Sequence, residues 1–169
     1  MGQKALKQMS ISTSMVEVDT LDNISLDGAK ILLRLDINSP VDPISGIFLD
    51  DRRIAEVIPT LDRLASNPVV ILAHQSRPGK EDYTSLAPHA RVLSRMMNRE
   101  VELWDGLHHD KSTLERITAL QPGKILMLEN IRFHGEEIAL KKETPIRMSK
   151  SHLVRNLASV TDIFVNDAF

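Results

Sequence analysis

The chain reads as an α/β domain built on a parallel sheet of about five strands. Two observations predict this class. Apolar runs of strand length at 31–35, 69–73, 101–104, 124–128 and 162–165 alternate strictly with stretches whose apolar residues recur at helical spacing. The first two runs, moreover, are almost continuously apolar, as strands covered on both faces of a parallel sheet require. Strand–helix alternation of this kind gives parallel neighbours joined by right-handed crossovers.

In chain order, residues 1–15 are polar and unpatterned and are expected to form a disordered tail, leaving 16–169 as the domain. Gly28 turns the chain into the first strand, within KILLRLDINSP (30–40). Arg34 is its one charge, and it stops at Asp36, Asn38 and Pro40, poor strand formers and good loop formers. Asp50, Asp51, Arg52 and Arg53 open a helix marked by Ile54, Val57, Ile58, Leu61 and Leu64, which Pro59 should kink and Asn67-Pro68 should end. The second strand, 69–73, runs into His74-Gln75-Ser76-Arg77-Pro78-Gly79. Leu86, Ala90, Leu93 and Met97 mark the second helix, with Thr84 or Ser85 expected as its cap. After the strand at 101–104, Leu114, Ile117 and Leu120 mark a helix closed by Pro122-Gly123. The fourth strand, 124–128, leads into Glu129-Asn130-Ile131-Arg132-Phe133-His134. A charged loop should follow, then a helix marked by Ile146, Leu153, Leu157 and Ala158, then the strand at 162–165 with Asn166 and Asp167 beyond its end.

At 169 residues, 42% hydrophobic and 26% charged, the composition is that of one ordinary globular domain. Its 21 basic and 23 acidic side chains leave a net charge of −2, no footprint for wholesale binding to nucleic acid or an anionic membrane. The absence of cysteine excludes disulfides, thiolate metal sites and cysteine nucleophiles. The longest clean apolar run, 69–73, is far short of a membrane span, and the first residues lack the apolar core of a signal peptide. A cytoplasmic protein is expected.

Ligands of open parallel sheets sit beyond the carboxyl ends of the strands. There the sequence places Asp36 and Asn38 after the first strand, His74 and Arg77 after the second, and Arg132 after the fourth, with Arg53 at the start of the first helix. One arginine at such a place is more often a solvated surface residue. Three with a histidine, in a nearly neutral chain, suit a small polyanion, because guanidinium forks bind phosphate and carboxylate oxygens bidentately. Asp36 and Asn38 would read hydroxyl groups on the same ligand. His108 and His109 look like bystanders, and no metal site is expected. Neither GxGxxG nor GxxxxGK[ST] is present, so a self-contained nucleotide site is not expected.

These loops also carry a resemblance. LLRLDINSP (32–40), DDRRI (50–54), AHQSRPG (73–79), LENIRF (128–133) and VNDAF (165–169) are similar, in order and spacing, to the amino-terminal domain of phosphoglycerate kinases, with wording closer to the archaeal branch. The resemblance implies a three-layer, Rossmann-like domain that holds 3-phosphoglycerate or 1,3-bisphosphoglycerate, in an enzyme that passes a phosphoryl group between the acyl phosphate and ADP. It implies that Asp36 and Asn38 contact the hydroxyl and carboxyl end of the glycerate. His74, Arg77 and Arg132 would form the basic cluster around its phosphate, and Arg53 would also act catalytically on the phosphoryl group in transit. ADP/ATP with Mg2+ would bind a second domain that, like a sixth strand beside the fifth, is not in this chain. The chain alone is therefore expected to be inactive, with Ile163 and Val165 on an uncovered edge; the full-length enzyme would be a monomer. Gln75 and Ser76 depart from the Leu-Gly common in bacterial and eukaryotic members. The alternative is a stand-alone, non-catalytic α/β module that binds a small phosphorylated acid.

Overall fold

A computed structural model describes residues 19–108 and 110–168; the tail expected at 1–15, His109 and Phe169 lie outside them. Five parallel strands form one sheet: β1 (Ile31–Leu35), β2 (Val69–Leu72), β3 (Val101–Trp104), β4 (Ile125–Leu128) and β5 (Ile163–Asp167), in the order β3-β4-β2-β1-β5. Alternating side chains feed two cores, which is what makes the domain three-layered. On one face Ile31, Leu33, Val69, Ile71 and Met127 meet Ile54, Leu61 and Leu93. These last come from α1 (Arg52–Glu56), α2 (Ile58–Arg63) and α3 (Ala87–Met97). On the other face Leu32, Val70, Leu126 and Leu128 meet Ile117 of α4 (Lys111–Thr118) and Leu157 of α7 (His152–Ala158). Truncating any of the fully buried leucines or isoleucines to alanine removes about 2–5 kcal/mol.

The structure corrects several expectations. Pro59 does more than kink the first helix: it divides it at Val57 into α1 and α2, because proline has no N–H for the preceding turn and its ring clashes there. Neither Thr84 nor Ser85 is the N-cap of α3. That position is Leu86, whose N–H donates to the Glu129 carboxylate at 2.8 Å, while Ser85 Oγ accepts from Ala87 N–H and donates to the same carboxylate. The helix start is thereby tied to the loop after β4.

The charged stretch after His134 is helical, with α5 at Gly135–Ala139 and α6 at Pro145–Met148. The expected fourth helix is two pieces. Ser151 caps α7 by accepting from Val154 N–H, and Glu136 accepts from the His152 and Leu153 N–H groups. Ile146 is consequently exposed.

Asn166 and Asp167 belong to β5 itself, opposite Arg34 and Leu35, and not to a loop beyond it. The Asp167 carboxylate accepts from Thr60 Oγ1 at 2.6 Å and ties the strand to α2. β5 does border the sheet, but Ile163 and Val165 are half-buried against the first core, and Phe164 is the side chain turned outward, 59% exposed. No helix among the described residues is long and apolar enough to cross a membrane.

Two polar details inside the packing matter for stability. At Gly106 an added Cβ would sit 2.3 Å from Trp104 Nε1 and 2.8 Å from Thr113 Oγ1, the two atoms of a 2.8 Å hydrogen bond between β3 and α4. Beneath the sheet edge, fully buried His89 of α3 places Nε2 3.1 Å from Gln75 Oε1, with Phe48 edge-on at 4.7 Å. Burial pushes the His89 imidazole down to about 4, with a backbone contact at Ile37 acting the other way.

Gly106→Ala is expected to cost about 1–3 kcal/mol by overpacking. Denaturant melts read the cost, and the fluorescence of Trp104, the chain's one tryptophan, reports the lost hydrogen bond; unchanged emission would contradict the contact. The folded chain protonates His89 only near pH 4, against 6.5 for an ordinary histidine, so the unfolded chain holds more protons between those values. Stability therefore falls as pH drops through that window, by at most about 3 kcal/mol from this residue. Urea melts of His89→Gln should show a flatter acid slope than the parent chain, and equal slopes would assign the effect elsewhere.

Candidate functional site

β4, β2 and β1 are consecutive in the sheet. Neighbouring strands lie about 4.8 Å apart, so the three loops that leave their carboxyl ends fall within about 10 Å. That span suits a small acid.

After β1 the chain stays extended, and burial alternates. Leu35, Ile37 and Ser39 turn inward, while Asp36 and Asn38 share the other side with Arg34. Ile37 is wholly buried, which explains an apolar residue between two polar ones. Arg53 reaches over from α1, its Nη1 2.6 Å from Asp36 Oδ2. Its side chain is 49% exposed, so the pair fixes direction more than it adds stability. The remaining guanidinium N–H groups of Arg53 are available to an anion.

The loop after β2 joins the other two. Ser76 has φ +55, a left-handed conformation that a side chain disfavours. In that conformation its N–H donates to Asn38 Oδ1 at 2.8 Å, and its carbonyl accepts from Arg132 Nη1. The backbone of one residue thus connects a residue after β1 to a residue after β4. Its hydroxyl donates to Asp82 Oδ1 at 2.5 Å.

Arg132 lies in a 3-10 turn, Ile131–Phe133, held from several sides. Asn130 Oδ1 accepts its N–H, Tyr83 Oη donates to its carbonyl at 2.5 Å, and Glu137 stands 3.9 Å from its Nε. Fully buried Asn130 also donates to the carbonyls of Gln75 and Thr84, each at 2.9 Å. In the sequence Asn130 stands out only as a neighbour of Arg132. Its structural task is to bind the post-β4 turn to the post-β2 loop.

His74 is half-buried and electrically at the centre. Burial, and next the Arg132 guanidinium, hold its imidazole below the ordinary histidine value. Arg34 and Arg53 add to this, and Asp36 opposes it. His74 is therefore neutral at neutral pH and within electrostatic range of all four charged groups. Arg34 is the residue sequence reading passed over. Its signal was present: a lone charge in an apolar strand, two residues before Asp36 and so on the same side.

Of the six expected residues, the structure joins Asp36 to Arg53 and Asn38 to Arg132 through Ser76, and puts His74 among them. Arg77 is not drawn in. It is exposed, and its guanidinium forms no hydrogen bond or ion pair among the described residues. Arg34, Arg53, Arg77 and Arg132 against the carboxylates of Asp36, Asp82 and Glu137 leave a small local positive surplus in a chain of net charge −2. His134 packs instead on buried His108, ring centroids 3.9 Å apart, with His108 Nε2 3.0 Å from the Glu129 carbonyl oxygen. Clefts of about 540 and 610 Å³ lie elsewhere, one along 40–43 and 79–82 and one between α3 and β3; none of the six residues lines either. Among the described residues no group of three or more histidine, aspartate or glutamate side chains could hold a metal ion.

Residues 21–169 match the family model for phosphoglycerate kinase. The phosphoglycerate kinases of Methanocorpusculum labreanum and Methanobacterium bryantii are 48% and 45% identical over 150 and 152 residues. Each alignment covers 89% of this chain and 36% of the relative. The crystal structure of phosphoglycerate kinase from Pyrococcus horikoshii OT3 superposes with a TM-score of 0.79 at 37% identity, over 88% of this chain and 36% of that one. The enzyme from Coxiella burnetii gives 0.66 at 29%, over 87% and 34%. The chain thus spans about a third of the length of the relatives it matches. With the sheet, the loops and these similarities in accord, the chain belongs to the phosphoglycerate kinase family.

Proposed function

We propose that this chain forms the 3-phosphoglycerate-binding part of a phosphoglycerate kinase, which transfers a phosphoryl group between 1,3-bisphosphoglycerate and ADP to give 3-phosphoglycerate and ATP. The observation that carries this reading is the Ser76 backbone. By engaging Asn38 and Arg132 at once, it holds three loops around one arginine-rich edge. Family membership favours this over a stand-alone, non-catalytic module.

In the reaction, the bond between phosphorus and the carboxyl oxygen breaks as one forms to the β-phosphate oxygen of ADP. The protein contributes positioning and neutralised oxygens and needs no covalent nucleophile. Arg132 and neutral His74 would take the stationary phosphate, and exposed Arg77, its guanidinium uncommitted among the described residues, would close onto it when the ligand binds. Asp36 and Asn38 would take the hydroxyl and carboxyl end. Arg53, oriented by Asp36, would stabilise the phosphoryl group in transit. ADP/ATP with Mg2+ would bind another part of the enzyme, a reading that the absence of GxGxxG and GxxxxGK[ST] motifs from the sequence supports.

An NMR titration of the chain with 3-phosphoglycerate is expected to move the resonances of Asn38, His74, Arg77 and Arg132. Unmoved resonances at millimolar ligand would overturn the site. Arg132→Ala should weaken binding about tenfold or more, the loss of a charge-assisted hydrogen bond. A bound anion favours imidazolium, so the His74 pKa should rise on binding and affinity should strengthen as pH falls through the titration of that imidazole. Following the His74 ring carbons across pH, with and without ligand, checks the sign; a fall would place the phosphate elsewhere.

A further inference from the structure

We propose that Asp82 is a positioning residue of the binding edge, acting through Ser76 and not through the ligand. Ser76 is the joint of the site, yet its backbone sits where an L-residue is disfavoured. Its two backbone hydrogen bonds cannot both survive a return of φ to negative values, because the peptide groups on either side of its Cα then turn relative to each other. What opposes that return is the side chain. Ser76 Oγ donates to Asp82 Oδ1 at 2.5 Å, and Gln75 Nε2 lies 3.5 Å from Asp82 Oδ2.

Asp82 is itself well placed to hold. It lies in the turn closed by Tyr83 N–H donating to the Lys80 carbonyl, and the Tyr83 hydroxyl donates to the Arg132 carbonyl. The segment that grips Ser76 therefore also grips Arg132. On the inner side, Gln75 is fastened by His89 at its amide oxygen and by Asn130 at its carbonyl. Asn38 benefits directly: with Oδ1 committed to Ser76, its amide is oriented and Nδ2 is left to donate outward. Arg132 likewise spends Nη1 on Ser76 and, with Glu137 beside Nε, presents Nη2.

Charge and positioning make opposite predictions at this residue. Asp82 puts a negative charge beside an anion-binding edge, so removing it for its charge alone should tighten anion binding. Removing it as the restraint on Ser76 should loosen binding.

The test compares Asp82→Ala, Asp82→Asn and Ser76→Gly in the 169-residue chain. Two readouts are used: 3-phosphoglycerate affinity by NMR titration, and the Ser76 backbone and Asn38 side-chain amide resonances without ligand. The affinity arm rests on the function proposed above; the ligand-free arm does not. Asp82→Ala should weaken binding about tenfold and shift the Ser76 and Asn38 amides. Asp82→Asn keeps an acceptor for the serine hydroxyl and should restore both. In a Ser76→Gly background, where the left-handed conformation carries no penalty, Asp82→Ala should change affinity less than threefold. Unshifted ligand-free amides in Asp82→Ala would overturn the proposal, as would tighter binding or a failure of Asp82→Asn to rescue. If the parent chain does not bind, the function proposed above fails while the amide shifts still decide the role of Asp82. Should Asp82→Ala not fold, Ser76→Ala removes the same hydrogen bond and is read in the same way.

Discussion

The constraint on which the rest depends is the burial of β2 on both faces between β4 and β1. Its four residues are all buried, Val69 and Ile71 in one core and Val70 and Leu72 in the other. A strand so placed has its height and direction set by both helical layers and by ladders to both neighbours. The loops leaving β4, β2 and β1 are therefore delivered to the same edge at strand spacing, before any polar contact between them is made. The polar contacts then refine an arrangement the apolar packing has already imposed.

Behind that edge runs a polar seam of buried His89, Gln75 and Asn130 with half-buried Glu129. Each of the last three makes at least two polar contacts, to N-termini, carbonyls or one another's neighbours. Buried polar groups are costly unless satisfied, and once satisfied they specify one geometry. Here they join the start of α3 to the loops after β2 and β4, so the ligand-facing side chains rest on a rigid backing. The charged groups in front are differently arranged. Arg34, Arg53, Arg77 and Arg132 outnumber the carboxylates of Asp36, Asp82 and Glu137, and His74 stays neutral because burial, and next the Arg132 guanidinium, hold its imidazole down. A site built this way has positive potential to spend on an incoming anion, without a net positive protein.

Element type was legible wherever a single periodicity ruled. The strand ends were too, because Asp36, Asn38, His74 and Arg132 directly follow apolar runs. Boundaries were less so, for identifiable reasons. Pro59 sits within a continuous helical pattern, and local spacing does not say whether a proline bends a helix or divides it. Residues 135–139 read as charged loop because α5 buries no residue fully and so has no apolar stripe. The cap of α3 was misassigned because its acceptor, Glu129, is more than forty residues away in sequence. Arg77 follows His74 by three residues, and spacing does not say that the loop leaves it exposed and unpaired among the described residues.

From sequence alone come the parallel α/β class, the family and the residues that face one edge, because burial pattern, turn chemistry and short motifs are local properties of the chain. The tertiary structure decided which of those residues touch, that Arg34 joins them, and that Ser76 rather than a longer side chain connects the loops. Those outcomes depend on strand order and on one backbone dihedral, quantities that arise only when segments a hundred residues apart are packed against each other.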